Sequence, residues 1–294
     1  MDRKSEPSAH VSVHPITDRD LPEVARLLGE HFPPDTPTDQ WADAWLATVN
    51  RPGSTAPNHG FLLRADGRVV GAYPAIYSTR VINGRLERFC NLAVWFTAPE
   101  YRSSSIRMVR AVLGQHDLTF TDLSPIDVVQ KLNLRLGFVY LDTATVAVPH
   151  LPWIGQTRAR VTDDPAVIEA TLPEPVRTYY ADHAECRWAR HVLLVRGDQS
   201  CYVVWRRYRI KRLPLFASVQ YISNPAVFRE SFGALARYLL LHHGTVATIV
   251  EDRLTSGGIR PSLRMPRSRQ RMFRSSTVGP EHIDYLYSEI TSAP

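Results

Sequence analysis

The stretch NLAVWFTAPEYRSSSIRMVRAVL, residues 91–113, contains a change of periodicity that decides the fold. The apolar run from Asn91 to Thr97 predicts a strand, and apolar residues at helical spacing from Met108 to Leu113 predict a helix. Between them lies PEYRSSSIR, a polar turn with three serines and two arginines. The start of a helix offers unpaired backbone N–H groups and the positive end of its dipole, so this turn predicts an anion site.

The composition of the 294-residue chain indicates a folded protein of one large domain or two ordinary ones. No apolar run reaches the roughly 18 residues of a membrane span, and the polar N-terminus lacks the apolar centre of a secretory signal. The three cysteines have neither metal-site nor disulfide spacing, which predicts no metal and fits a reducing compartment. We therefore expect a cytoplasmic protein without a membrane span, with residues 1–10 as a disordered tail.

The net charge of +6 favours anionic partners without choosing among them. Basic residues concentrate in the C-terminal half, in one run from Arg206 to Arg212 and another from Arg260 to Arg274. Such a run is most often a solvated face. If the protein binds nucleic acid or an acidic carrier protein, the region Arg206–Arg212 is where we expect the contact.

The first 150 residues predict the order strand, helices, three strands, helix, strand, helix, strand. One of the early helices is predicted over Trp41–Val49. The turns Asp66–Gly67 and Asn83–Gly84, each between apolar runs, predict two hairpins. The strand predicted over Leu118–Leu123 follows the helix that begins near Met108, which implies a parallel crossover within a mixed sheet.

Prolines interrupt the pattern near residue 150, and the second half then repeats the order of hairpin, strand, helix and strand. We therefore divide the chain into a domain of residues 11–150 and a second domain of residues 151–294. In the second half the place of the PEYRSSSIR turn is taken by Ser223–Arg229, which has no glycine and a bulky phenylalanine. The second domain is thus predicted to be a degenerate copy that shapes a pocket.

Three segments together resemble the GNAT acyltransferase superfamily over residues 11–142. They are GRVVGAY (67–73), AVWFTAPEYRSSSIRMVRAVL (93–113) and LNLRLGF (132–138), which is similar to the family's LYEKLGF. The resemblance implies an α/β fold, in the mixed-sheet sense of α+β. It implies tandem GNAT-like domains, each with a mixed central sheet flanked by helices.

The resemblance also implies transfer of an acetyl or other acyl group from coenzyme A, or from an acyl carrier protein, to an amine or hydroxyl. The acceptor would be a small molecule or peptide that attacks the thioester directly. The strand end would pair with the pantetheine arm and the turn would hold the pyrophosphate. The residues assigned to the donor are Trp95, Phe96, Thr97, Arg102, Ser103, Ser104, Ser105, Ile106, Arg107 and Asn133.

The sequence departs from the family pattern at two places that bear on chemistry. Ser105 and Arg107 stand where the family prefers glycine or alanine, so Arg107 could reach the phosphates with its own side chain. Asn133 stands where the family often has a tyrosine acid, and an amide has no proton to donate by titration. The candidates for acid and base are Asp122, Ser124, Glu100, Tyr101 and, before the first hairpin, His59.

Two other classes of function stay open from the sequence. One is an aminoacyl-tRNA-dependent transferase, since such enzymes also use paired GNAT-like domains and the basic second half would suit tRNA. The other is a non-catalytic protein that binds or senses an acyl-coenzyme A, which the altered turn and the missing tyrosine favour.

Overall fold

The structure is a computed structural model that describes residues 10–31, 56–150, 159–210, 213–265 and 269–292. The helix predicted over Trp41–Val49 and nearly all of the predicted tail lie outside the described residues. Two mixed sheets flanked by helices account for most of the described chain, which confirms the predicted α/β class.

The strands up to residue 150 are β1 (Val11–Pro15), β2 (Gly60–Ala65), β3 (Arg68–Ile82), β4 (Arg85–Leu92), β5 (Phe96–Thr97), β6 (Thr119–Asp122), β7 (Val139–Tyr140) and β8 (Thr145–Pro149). The helices described there are α1 (Leu21–Gly29), α2 (Ile106–Leu113) and α3 (Asp127–Arg135), with 3₁₀ helices at Asp18–Asp20 and Pro99–Ser104.

The later strands are β9 (Arg160–Thr162), β10 (Arg190–Arg196), β11 (Gln199–Ile210), β12 (Leu213–Ile222), β13 (Ala247–Glu251), β14 (Leu263–Arg264) and β15 (Met272–Arg274). The later helices are α4 (Pro165–Thr171), α5 (Val176–His183), α6 (Pro225–His243), α7 (Asp252–Thr255) and α8 (Glu289–Ser292), with a 3₁₀ helix at Pro280–His282. None of the helices in the described part of the chain has the length and apolar character needed to cross a membrane.

The two sheets correspond strand by strand, and in each of them five neighbouring strands follow the order of the chain. The first runs β1-β2-β3-β4-β6-β15-β7, and the second runs β9-β10-β11-β12-β13-β8-β14. In each sheet one neighbouring pair is parallel, β4 with β6 and β12 with β13, and the other pairs are antiparallel. The parallel crossover from β4 through α2 to β6 is the one that the sequence predicts.

Each sheet takes one strand from the other side of the predicted boundary at residue 150. The C-terminal strand β15 lies in the first sheet between β6 and β7, and β8 lies in the second sheet between β13 and β14. Sheet membership thus differs from the predicted division at these two strands. Their placement follows from tertiary pairing, because three residues such as Met272–Arg274 are too short to carry a periodic signal.

Local turn chemistry explains the two predicted hairpins. Asp66 and Gly67 have φ of 48° and 79°, and Asn83 and Gly84 have φ of 51° and 75°. Positive φ at both central residues defines the tight turn whose twist matches that of the flanking strands. Both hairpins are confirmed by the antiparallel pairs of β2 with β3 and of β3 with β4.

The predicted strand that runs to Thr97 is interrupted. Strand β4 ends at Leu92, and the chain then moves over so that Phe96 and Thr97 pair with Ala72 and Gly71 of β3. A Cβ atom at Gly71 would lie 3.0 Å from Thr97 Oγ1 and 3.1 Å from Phe96 O. The glycine therefore allows β5 to approach β3 closely.

The two faces of the first sheet pack against different partners. On one face α2 contributes Met108, Val109 and Val112 to a core shared with β3, β4 and β6. On the other face Phe89 of β4 and Phe273 of β15 belong to the same apolar cluster as side chains of the second sheet. The two sheets therefore share a hydrophobic core.

The C-terminal segment, which we define as residues 283–292, lies against the face of the first sheet that looks toward the second. Its Asp284 accepts a hydrogen bond from Arg80 Nη2 of β3 at 2.6 Å, and the two side chains are only 9% and 6% exposed. The Arg80 guanidinium also lies 5.2 Å from the ring centroid of Tyr179. A buried charge with these contacts fixes the segment to the sheet.

Replacing Asp284 with alanine leaves the buried Arg80 without its counter-charge. We expect Asp284→Ala to lower the free energy of unfolding by about 3–5 kcal/mol. The control is Glu30→Ala, which removes an exposed pair with Arg26 and should cost less than about 1 kcal/mol. Urea unfolding of both variants measures the difference, and equal effects would contradict the structural importance of this pair.

Candidate functional site

The candidate site is the place where two parallel strands part. Strands β4 and β6 stay in register from Phe89 opposite Thr119 to Leu92 opposite Asp122. Beyond this point the chain after β4 turns toward β3, where Ala93 N donates to Pro74 O at 3.2 Å and Ala98 N donates to Val70 O at 2.9 Å. Strand β5 pairs with β3 and not with β6, so β4 and β6 part after these residues, and we call the place between β5 and the end of β6 the gap.

The PEYRSSSIR turn is more helical than the sequence predicts. Pro99–Ser104 forms a 3₁₀ helix that leads into α2, and its i→i+3 bonds use backbone amides. Tyr101 N donates to Ala98 O at 2.9 Å, and Ser105 N donates to Arg102 O at 3.1 Å. Without a glycine the turn keeps right-handed helical geometry, so it offers fewer bare amides than an open loop would.

The two arginines of the turn have different surroundings. Arg107 Nη1 donates to the backbone oxygen of Val11 in β1 at 2.8 Å, which ties α2 to the edge of the sheet. The exposed Arg102 has no side-chain partner among the described residues. Of the two, Arg102 is therefore the one whose charge is available to a ligand, together with the neighbouring hydroxyls of Ser103 and Ser104.

The residues predicted at the strand end are partly buried in the sheet. Trp95 stacks on Tyr73 with ring centroids 5.4 Å apart, and Phe96 lies 4.0 Å from the ring of His31. The Trp95 Nε1 and Thr97 Oγ1 atoms are buried and have no hydrogen-bond partner among the described residues. Buried polar atoms are almost always paired, so these two mark a place where a ligand could supply the partner.

Other predicted residues near the turn fall into two groups. The side chains of Tyr101 and Ile106 pack against the core between α2 and the sheet, whereas Glu100 is exposed. His59 is not part of this place, because its Nε2 contacts Asp18 Oδ1 at 2.7 Å beside β1.

Asp122 and Asn133 form a buried pair on the α3 side of the gap. Asn133 Nδ2 donates to Asp122 Oδ2 at 2.8 Å, and the residues are 2% and 4% exposed. Burial, with a smaller contribution from the charge of Glu289, raises the pKa of Asp122 to about 7 against the lowering effect of the hydrogen bond from Asn133. The sequence prediction placed both residues at the site but did not foresee that they bond to each other.

The opposite face of the same strands carries a second carboxylate. Ser124 Oγ donates to Glu289 Oε1, and Asn91 Nδ2 donates to Glu289 Oε2, each at 2.6 Å. Thr121 Oγ1 donates to Asn91 Oδ1 at 3.0 Å and orients the amide. Ser124 is exposed, so solvent reaches this group. The sequence analysis singled out neither Asn91 nor Glu289, since Glu289 follows Ser124 by 165 residues and no local motif links them.

A small cavity continues from this group along the sheet. It is lined by Ser78, Arg80, Phe89, Asn91 and Thr121 on the strands, and by Ile283, Asp284, Leu286 and Tyr287 of the C-terminal segment. Its free space is about that of one water molecule. The C-terminal segment thus forms one wall of this cavity and leaves little free space beside Asn91.

The corresponding place in the second sheet holds a different arrangement. Glu251 ends β13 as Asp122 ends β6, and its carboxylate accepts from Arg253 Nε at 2.7 Å and from Arg271 Nη1. Both guanidinium groups also lie against the ring of Tyr285. The helix that leads into β13, α6, is capped by Asn224, whose side-chain oxygen accepts from Val227 N. Two arginines compensate this carboxylate, whereas Asp122 accepts hydrogen bonds from two neutral groups, the side chain of Asn133 and the backbone of Ser124.

Two arginines of the basic run from Arg206 to Arg212 bind backbone oxygens. Arg206 Nη1 donates to Ile290 O of the C-terminal segment, and Arg207 donates to Pro214 O and His243 O at 2.9 and 2.7 Å. Lys211 and Arg212 lie outside the described residues. Among the described residues no three His, Cys, Asp or Glu side chains lie close enough to hold a metal ion.

Comparison with known proteins finds similarity in structure and none in sequence. No family model matches the chain, and no curated protein sequence matches it. A GCN5-related N-acetyltransferase from Anabaena variabilis ATCC 29413 superimposes with a TM-score of 0.61 at 11% identity, covering 90% of this chain and 72% of that one.

Two other solved structures give the same result. A GCN5-related N-acetyltransferase from Kribbella flavida has a TM-score of 0.58 at 15% identity, covering 90% of this chain and 71% of its own. A putative acetyltransferase from Pyrococcus horikoshii has a TM-score of 0.53 at 15% identity, covering 100% of this chain and 99% of its own. The resemblance predicted from the sequence is confirmed at the level of the fold, and the chain has the fold of the GCN5-related N-acetyltransferases.

Proposed function

We propose that this protein is an acyltransferase that uses an acyl-coenzyme A as its donor substrate and a small molecule or peptide bearing an amine or hydroxyl as its acceptor. The observation that carries the proposal is the parting of β4 and β6 after Leu92 and Asp122, in a fold shared with solved N-acetyltransferases. Acetyl-coenzyme A is the first donor to test, and an acyl carrier protein presents the same thioester.

The donor is proposed to lie in the gap between β5 and β6. The backbone of Phe96 and Thr97 would pair with the pantetheine amides, and the buried Trp95 Nε1 and Thr97 Oγ1 are donors without partners there. Arg102, Ser103 and Ser104 would face the pyrophosphate at the start of α2, since charged hydrogen bonds to phosphate are the strong ones. The Ser105 amide already donates to Arg102 O, so this end of the site offers a phosphate fewer contacts than the resemblance implies.

The proposed reaction is attack of the acceptor on the thioester carbonyl carbon. The new C–N or C–O bond forms, the C–S bond breaks, and the proton of the acceptor must be taken up near the gap. Of the predicted acid and base candidates, Asp122 has a pKa of about 7, because its burial disfavours the charged form, and it can therefore hold or release a proton near neutral pH. Strand N–H groups at the gap could stabilise the tetrahedral oxyanion.

The domain assignment is part of the proposal. Residues 11–150 would bind the donor, and residues 151–294 would be a degenerate copy that closes the acceptor side. Two observations support this. In each sheet five neighbouring strands follow the order of the chain, and Glu251, at the position that corresponds to Asp122, is paired with two arginines.

A second candidate function is a non-catalytic protein that binds an acyl-coenzyme A. The observation that favours it is the 3₁₀ helix at Pro99–Ser104 together with the bond from Arg107 to Val11, since both reduce the contacts left for a phosphate. Binding of coenzyme A without thiol release toward any acceptor would distinguish it from the enzyme.

Calorimetric titration with acetyl-coenzyme A tests donor binding and the roles of the two turn arginines. We expect Arg102→Ala to weaken binding by roughly tenfold, about 1.4 kcal/mol, because a charged phosphate contact is lost. Arg107→Ala should change affinity little and instead lower stability by up to about 1 kcal/mol. Arg110→Ala, on the exposed side of α2, is the matched control. Absence of binding by the unmodified protein at millimolar ligand would contradict the proposed function.

The raised pKa of Asp122 predicts a definite pH dependence of stability. Between the unfolded value of 3.8 and the folded value of about 7 only the folded state keeps the proton, so the contribution of this group to stability falls as pH rises through that range. We therefore expect the stability of Asp122→Asn relative to the natural protein, measured by urea unfolding, to increase as the pH rises from about 4 to about 7. Asp127→Asn, at the exposed start of α3, is the control and should follow the natural protein. A stability difference between Asp122→Asn and the natural protein that does not change with pH would refute the raised pKa of Asp122.

A further inference from the structure

We propose that Glu289, carried by the C-terminal segment, is the general base that removes the proton of the acceptor. This inference rests on the proposed function and adds to it a residue from the far end of the chain. With this role the C-terminal segment belongs to the site and does more than pack against the first sheet.

The position of Glu289 suits this role. Its two oxygens accept from Asn91 of β4 and from Ser124, which follows β6, each at 2.6 Å. The carboxylate therefore bridges the two parallel strands at the point where they part. Glu289 is half-buried and its partner Ser124 is exposed, so an acceptor or water can approach from that side.

The hydrogen-bond partners of Glu289 are neutral, as is the Asn133 amide bonded to Asp122, whereas two other carboxylates in the described part of the chain are paired with arginines. Asp284 is paired with Arg80, and Glu251 is paired with Arg253 and Arg271. The structure shows no ion pair for Glu289 among the described residues. Leaving a carboxylate in a largely buried place without a counter-charge is costly, and such groups are concentrated at functional sites.

The neighbours of Glu289 bear on its protonation. Burial raises the pKa of Glu289, while the hydrogen bonds from Ser124 and Asn91 and the more distant charge of Arg271 lower it. On the other face of the sheet the charge of Glu289 raises the pKa of Asp122 and of Tyr73. A carboxyl at each face of the gap lets one accept a proton while the other holds one.

The C-terminal segment is anchored on both sides of Glu289 by residues that the proposed function leaves unexplained. Tyr287 N donates to His183 Nε2 at 3.1 Å, and Tyr287 Oη donates to Asp182 Oδ2 at 2.7 Å. Beyond Glu289, Arg206 donates to Ile290 O, and Cys186 Sγ lies 3.5 Å from Thr291 O. These contacts hold the carboxylate in place.

In the proposed step the lone pair of an acceptor amine attacks the thioester carbonyl carbon and a C–N bond forms. The proton on that nitrogen passes to a Glu289 oxygen. The C–S bond breaks, and the sulfur leaves as a thiolate that takes a proton from solvent. Glu289 then returns its proton to solvent on the side of Ser124. The products are the acylated acceptor and free coenzyme A.

The test measures thiol release from acetyl-coenzyme A, with water and a panel of primary amines as acceptors. We expect Glu289→Gln to lower the rate by roughly 100-fold or more and to remove the rise of rate with pH on the acid side. Donor affinity by calorimetry should stay within about twofold, since Glu289 is not a donor contact. The matched control is Glu281→Gln, an exposed glutamate near the start of the same segment, whose rate should be unchanged.

A second variant distinguishes loss of the base from misfolding. Glu289→Ala in the presence of added formate should regain part of the lost rate if the carboxylate acts in proton transfer. A structural role predicts no rescue. Thiol release by Glu289→Gln within a few-fold of the natural protein would overturn the base role while leaving the proposed function intact. If the natural protein neither binds nor consumes acyl-coenzyme A, the proposed function is wrong and the role of Glu289 is overturned with it.

Discussion

The hydrogen bonding of β15 between β6 and β7 is the interaction on which the rest of the site depends. Without β15, strand β6 would be an edge of the first sheet and its outer N–H and C=O groups would lack partners. Met272 pairs with Asp122 and Phe273 pairs with Thr121, so β15 covers the residues that flank the gap. The same pairing returns the chain to the first sheet and lets the C-terminal segment reach Asn91. The two halves therefore cannot be separated without opening the site.

The two sheets show how one architecture can carry different electrostatics. At the end of β6 a carboxyl faces an amide, and burial disfavours its charge. At the end of β13 a carboxylate faces two guanidinium groups that stack on Tyr285. Two cations thus balance the charge of Glu251, whereas Asp122 has no cation partner among the described residues.

The parts of the fold that the sequence predicted are those with local causes. Asp66–Gly67 and Asn83–Gly84 determine their turns through their own φ angles, and the crossover from β4 to β6 follows from periodicity. The rest depends on contacts between distant residues. Nothing in PEYRSSSIR indicates that Arg107 bonds to Val11, and the contact of Glu289 with Ser124 joins residues on either side of an entire second sheet. Asp122 and Ser124 were predicted as single candidates, but their buried and exposed partners could be found only in three dimensions.

If the proposed acyl-coenzyme A donor binds at this turn, the serines change where that donor would gain its binding energy. A glycine loop lets the backbone approach a pyrophosphate, but here the turn stays helical and Ser105 bonds to Arg102 O with both its amide and its hydroxyl. The phosphate end is then left with one free guanidinium and two serine hydroxyls. More of the affinity for the proposed donor would then come from its pantetheine arm along β5, where two buried polar atoms have no partner among the described residues. Because that arm ends in the thioester, binding energy realised there acts next to the reacting carbon, where it can orient the substrate for attack.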